Sequence, residues 1–144
     1  MSAKQKVGLH QGKPNIVICH TDRERLTKLA EAISDRSPDI AEELLVELDR
    51  AKVVKDGGLP GNIVRMGSSV KYRSDDGQER HVSLVYPGEA DISLGKISIL
   101  TPIGTALIGL SAGQSIDWIA RDERSHHLTV ITVEAPDPVR KGEA

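Results

Sequence analysis

A chain of 144 residues with 38% apolar side chains can fill one ordinary core or two small ones. Its formal charge of −2 leaves no basic excess, which argues against an autonomous nucleic-acid binder and favours a protein partner or a small ligand. Phe is absent, and Tyr72, Tyr86 and Trp118 are the only aromatics, so neither a ring-lined pocket nor a base-stacking platform is well supplied.

The polar segment 1–14, with Lys4, Lys6 and Lys13, has no periodicity and is expected to be a disordered start. It lacks the apolar centre of a signal peptide, and no later run approaches the roughly 20 apolar residues of a membrane span. A cytoplasmic protein with no membrane role is therefore expected, and the single Cys19 fits a reducing compartment. Asn15 to His20 is a short β-rich run. Thr21 and Glu24 have the spacing of a capping box, which predicts a helix start there. Leu26, Leu29, Ala30 and Ile33 form its apolar stripe, with Arg23, Arg25, Lys28 and Glu31 facing water.

Ser37-Pro38 repeats the start signal for a second helix, with Ala41, Leu44, Leu45, Leu48 and Ala51 as its stripe. Only a few residues around Asp35 and Arg36 join the two, so they must form an antiparallel hairpin. Helices of about 13 and 16 residues give an arm on the order of 20 Å long. Residues 15–56 are read as this strand and hairpin, and the Gly/Pro-rich stretch 57–62 as a linker.

From Ile63 the pattern turns strand-like. Val70 and Tyr72 alternate with Lys71 and Arg73, Asp75-Asp76-Gly77 supplies a hairpin turn, and Val82, Leu84 and Tyr86 share a face of the returning strand. Ile97 and Ile99 alternate with Ser98. Thr101 then offers an N-cap hydroxyl ahead of Pro102, which opens a helix carrying Ile103, Ala106, Leu107 and Leu110. Gly109 or Gly113 can stop that helix, and Ile116 with Trp118 and then His126 to Glu134 supply the last strands. Residues 63–135 are thus a mainly antiparallel sheet of about five strands with one helix, and 136–144 a flexible tail. The chain as a whole is α+β.

No catalytic constellation emerges. Cys19-His20 and His126-His127 are adjacent pairs whose side chains point to opposite faces of a strand, which suits no shared metal. Ser68, Ser69 and Ser83 lack a nucleophile signature, and Gly104, Gly109 and Gly113 form no phosphate loop. No cofactor is expected. Asp35 and Asp39 lie near the hairpin tip, where two carboxylates could hold a divalent cation weakly or be lent to another protein's site. In the plainer reading Asp39 favours a helix N-terminus and Asp35 is loop; with no third ligand in view, that reading is preferred.

The stretch EADISLGKISILTPIGTALIGLSAGQSIDW resembles the C-terminal domain of the bacterial GreA/GreB transcript-cleavage factors. There, an acidic segment, GKIS, a Ser/Thr-Pro helix start, an ALIG-like core and a glycine turn occur in this order. PNIVICHTDRERLTKLAEAI, IAEELLVELDRAKVV and the later LVYP are more similar to the Rnk-type regulators of nucleoside diphosphate kinase. The resemblance implies an FKBP-like domain behind a helical hairpin, and docking on RNA polymerase near its secondary channel. The family's docking loop falls on Leu100, Thr101 and Pro102, with Ile103 beginning the helix behind it; Leu100 stands where the cleavage factors commonly have a polar residue, and Thr101 replaces serine. Gre factors use a much longer coiled coil to carry acidic residues to the polymerase's metal ion, and the arm here is short.

The expectation is a non-enzymatic regulator at the channel rim that competes with GreA/GreB and does not stimulate cleavage. The alternatives are control of nucleoside diphosphate kinase, by contact or through expression, and Gre-like cleavage. Scarce aromatics argue against FKBP-like prolyl isomerisation.

Overall fold

The computed structural model describes residues 14–119 and 123–136. The start expected to be disordered, up to residue 13, and the tail beyond Pro136 lie outside the described residues. The chain begins with β1 (Val17–Cys19), α1 (His20–Ile33), α2 (Pro38–Arg50) and β2 (Lys52–Val54). The helical hairpin returns the chain to its own start, so β2 pairs parallel with β1, Val17 opposite Lys52 and Cys19 opposite Val54. The sequence pattern did not anticipate β2. Helix ends at Arg50 because Ala51 is extended, at φ −79° and ψ 148°, and the β-branched Val53 and Val54 follow.

The starts of both helices depart from expectation. Cys19, not Thr21, is the N-cap of α1, and no side chain of its own caps it. Thr21 instead gives its backbone N–H to Asp56 Oδ1 at 3.0 Å and its hydroxyl to Asp56 Oδ2, so a carboxylate from beyond β2 satisfies a free donor of the first turn. The Asp56 stretch is thereby pinned to α1. Asp22, also in that turn, is buried and accepts the Met66 N–H at 3.0 Å. In α2, Pro38 occupies the first turn as expected, but Ser37 makes no side-chain cap bond.

Leu26, Ala30, Ile33, Ala41, Leu44 and Leu48 bury the facing stripes of the hairpin. Leu45, assigned to that stripe, is 36% exposed, and Glu47 is buried in its neighbourhood with Arg50 Nη2 2.9 Å from its Oε1.

The second half holds β3 (Ser69–Ser74), β4 (Glu79–Val85), β5 (Lys96–Ser98), the short α3 (Pro102–Leu107), β6 (Ser115–Ile119) and β7 (Ser125–Glu134). These strands form one sheet in the order β5-β4-β3-β7-β6. All pairs are antiparallel except β4 with β5, which two short 3-10 turns bring round to a parallel approach. The expected α+β class therefore holds, with a mixed sheet. Val70, Leu84, Ile99, Leu107, Ile116, Leu128 and Val130 fill the core, and Ile16, Ile18, Leu26, Leu44 and Leu48 from the first half belong to the same cluster.

Two glycines set close approaches. Gly109 has φ +84°, and a Cβ there would lie 2.7 Å from the Ile16 Cβ. This contact lets the Val17 N–H reach the Gly109 carbonyl at 3.2 Å and ties β1 to the end of the α3 segment. At Gly104 a Cβ would come within 2.3 Å of the Ser98 carbonyl oxygen, a backbone atom that cannot swing aside. Gly104→Ala should therefore cost about 1–3 kcal/mol, the usual range for overpacking, read as a lower urea midpoint with unchanged slope.

Candidate docking face and hairpin tip

The turn from β5 into α3 is built by serine and threonine hydroxyls. Ser98 Oγ accepts the Leu100 N–H at 3.0 Å, and the Thr101 hydroxyl donates to the Ser98 carbonyl at 2.7 Å while accepting the Gly104 N–H at 3.0 Å. Thr101 is thus the N-cap foreseen for α3, and Pro102 is its first residue. Thr105, buried, gives its hydroxyl to the Ile99 carbonyl at 2.8 Å. Leu100, Thr101, Pro102 and Ile103 are each half-buried, a braced ridge whose threonine hydroxyl is already committed internally.

Pro102 forms one wall of a groove of about 470 Å³ whose opposite wall is α2. Asp39, Glu42, Glu43, Val46 and Glu47 line the α2 side, and Ala106, Ile116, Trp118 and Ile119 join Pro102 on the other. The spacing of the α2 residues places them along one helix face. Trp118 stacks on His126 at 4.9 Å between ring centroids, and its buried indole N–H has no hydrogen-bond partner among the described residues.

The structure thus brings Asp39 to the same groove as Pro102 and leaves Asp35 in the exposed turn between the helices. The two carboxylates do not share a site. No group of three or more His, Cys, Asp or Glu suited to a metal occurs among the described residues. Glu42, Glu43 and Trp118 were not singled out from sequence as one site, since a helix face and a strand meet only in the fold. Ile92 and Leu94, 80% and 66% exposed in the turns before β5, are a second feature that pattern reading passed over.

Thr21, Arg25, Asp56, Arg65, Met66 and Tyr86 line a polar cleft between the hairpin unit and the sheet. The Thr21 hydroxyl, and then its N–H, hold the Asp56 carboxyl below its ordinary value of 3.8. Burial pushes the Cys19 thiol up from its ordinary value. A depressed folded-state value means that the Asp56 clamp is fully stabilising above 3.8 and fades as pH falls through the lower folded value. In urea titrations the unaltered chain should exceed Asp56→Asn in stability at neutral pH, with the gap closing on acidification below 3.8. A gap that stays constant with pH would deny the clamp.

A hairpin braced on a five-stranded sheet, with a Thr-Pro helix start at their junction, places the molecule in a class of bacterial transcription factors: the profile described as transcription elongation factor GreA/GreB, C-terminal part, matches residues 59–135. A second profile, Rnk N-terminus, matches residues 14–54. The regulator of nucleoside diphosphate kinase of Escherichia coli K12 is 37% identical over 123 residues, 85% of this chain and 90% of that protein. The chain belongs to the GreA/GreB family, among its Rnk-type regulators. Among solved structures, a transcription elongation factor GreA/GreB from Nitrosomonas europaea superposes with a TM-score of 0.67 at 36% identity, covering 83% of this chain and 99% of that one. GreA of Rhodospirillum rubrum is 41% identical over 69 residues, only 47% of this chain and 44% of that factor. These relatives are named as regulators and elongation factors, which fits a role in transcription control and no catalytic role of the chain's own.

Proposed function

We propose that this protein docks on RNA polymerase at the rim of the secondary channel through the ridge Leu100–Ile103, and that it does so without stimulating transcript cleavage. The observation that carries the reading is the shortness and placement of the hairpin. Its helices have 14 and 13 residues, about 20 Å at 1.5 Å per residue, and α2 lies against the groove beside Pro102. Metal ligation requires oxygen within about 2.0–2.6 Å of the ion, so an arm that stops short of a catalytic centre contributes nothing there, whatever carboxylates it bears. Asp35 and Asp39 act locally, Asp35 as a turn residue and Asp39 at the start of α2, where its charge meets the helix dipole. Occupying the rim, the protein competes with GreA and GreB for the same place.

Pro102 is the sharpest point of test. It is half-buried at the groove edge and donates no hydrogen bond, so Pro102→Asp changes the surface chemistry with little demand on the core. In a titration against polymerase core enzyme, that variant should lose about tenfold or more in affinity, as expected for a central contact, while its urea midpoint stays close to that of the unaltered chain. Full affinity in the folded variant would remove this ridge from the interface.

A second reading follows from the name of the Escherichia coli relative, a regulator of nucleoside diphosphate kinase. Recovery of the kinase and no polymerase on an affinity column bearing the full chain would favour direct contact with that enzyme.

A further inference from the structure

Ile92 and Leu94 are the two most exposed large apolar side chains among the described residues, at 80% and 66%. They sit in the 3-10 turn Ile92–Leu94 between β4 and β5, which buries none of its residues, and neither side chain belongs to the core formed by the described residues. Holding them in water therefore does nothing for the fold. A single surface leucine is ordinary, but two branched aliphatic side chains within three residues make a local apolar patch.

The turn that presents them is tied at both ends. Asp91 and Lys96 exchange backbone hydrogen bonds, each N–H to the other's carbonyl at 2.9 Å, and the Leu94 and Gly95 N–H groups donate back to the Asp91 and Ile92 carbonyls at 3.0 Å. Asp91 Oδ1 accepts both the N–H and the hydroxyl of Ser93, and Gly95, at φ +73°, turns the chain into β5. The Ser83 N–H donates to the Gly95 carbonyl at 2.8 Å, which fastens the turn to β4. Side chains held on a pre-formed turn lose little further backbone freedom when a partner covers them.

Position in the sheet decides which partner this patch meets. β5 is the edge strand, and it runs directly from the turn to the ridge at Leu100–Ile103. Leu100 lies six positions past Leu94, at most roughly 20 Å of chain. A standard interface of about 800 Å² per partner is roughly 30 Å across, so a protein seated on the ridge with that footprint reaches the turn. The ridge alone offers little: its four residues are half-buried, and the Thr101 hydroxyl is committed to Ser98 and Gly104. The turn supplies the free apolar side chains that the ridge lacks. We propose that Ile92 and Leu94 are a second anchor for RNA polymerase, entering an apolar pocket on the surface that docks along this edge. The anchor rests on the reading of the protein as a polymerase-docking factor.

Titration against polymerase core enzyme is compared for the unaltered chain, Ile92→Ser/Leu94→Ser, Ile92→Leu/Leu94→Met and Pro102→Asp, with the urea midpoint of each as the control for folding. The serine pair should lose about tenfold or more in affinity, the size of loss expected of an anchor. Its midpoint should not move, since serine keeps the backbone N–H groups that tie the turn and no core side chain is touched. The Leu/Met pair, which keeps apolar side chains of similar volume, should retain most of the affinity. Equal affinity in the unaltered chain and the serine pair would overturn the second anchor while leaving polymerase docking in place. A loss in the Leu/Met pair as large as in the serine pair would overturn it too, by assigning the effect to the shape of the turn and not to its apolar side chains. Loss in the serine pair with full affinity in Pro102→Asp would support the turn and remove the ridge. Failure of the unaltered chain to bind would overturn the docking reading and the anchor together.

Discussion

The backbone contact between β1 and the end of the α3 segment governs the geometry of the rest. Because Gly109 lacks a side chain and takes a positive φ, Ile16 can press onto it and Val17 can bond to its carbonyl. That junction places β1 between β2 and the sheet half, and so fixes where the hairpin stands. The acidic face of α2 then has one location available, across from Pro102 and Trp118. Asp56 and Asp22 reinforce the same registration, one by capping the first turn of α1 and the other by taking up the Met66 N–H. The hairpin is consequently part of the core, its leucines packed with those of the sheet. It is a braced wall rather than a free lever.

This changes what a Gre-type architecture can do. A long coiled coil can act at a distance from the domain that carries it; here Pro102 and the hairpin border one groove. The Thr101 hydroxyl is spent on the Ser98 carbonyl and the Gly104 N–H, so the ridge offers shape and apolar surface, and the charge available to a partner comes from α2.

Much of the sheet was legible from sequence because its code is local. Alternation at Val70 and Tyr72, the Asp75-Asp76-Gly77 turn with Gly77 at φ +83°, and the Thr101-Pro102 start each act within a few residues, and each appears where expected. Some of the misses are long-range. Asp56 satisfies the Thr21 N–H, 35 residues earlier, which no window reveals, and Thr21 with Glu24 imitated the local device that Asp56 replaces. Glu47 and Asp22 are buried against the polarity rule because Arg50, one turn along the same helix, pairs with the first and the distant Met66 N–H bonds to the second. Lys52-Val53-Val54 was absorbed into the preceding helix pattern, although its β-branched pair was a usable signal. Of the candidate site, the ridge could be read from its motif, whereas the groove required the fold, since α2, α3 and β6 contribute its walls from separate parts of the chain.

The central claim is that a short hairpin held within the core obstructs a polymerase channel without serving its catalytic centre. Its most direct test is transcript cleavage in stalled elongation complexes, with this protein added alone and then in competition with GreA. The expected result is no cleavage above background when it is added alone, and a dose-dependent suppression of GreA-stimulated cleavage. Stimulation of cleavage by this chain itself would contradict the claim.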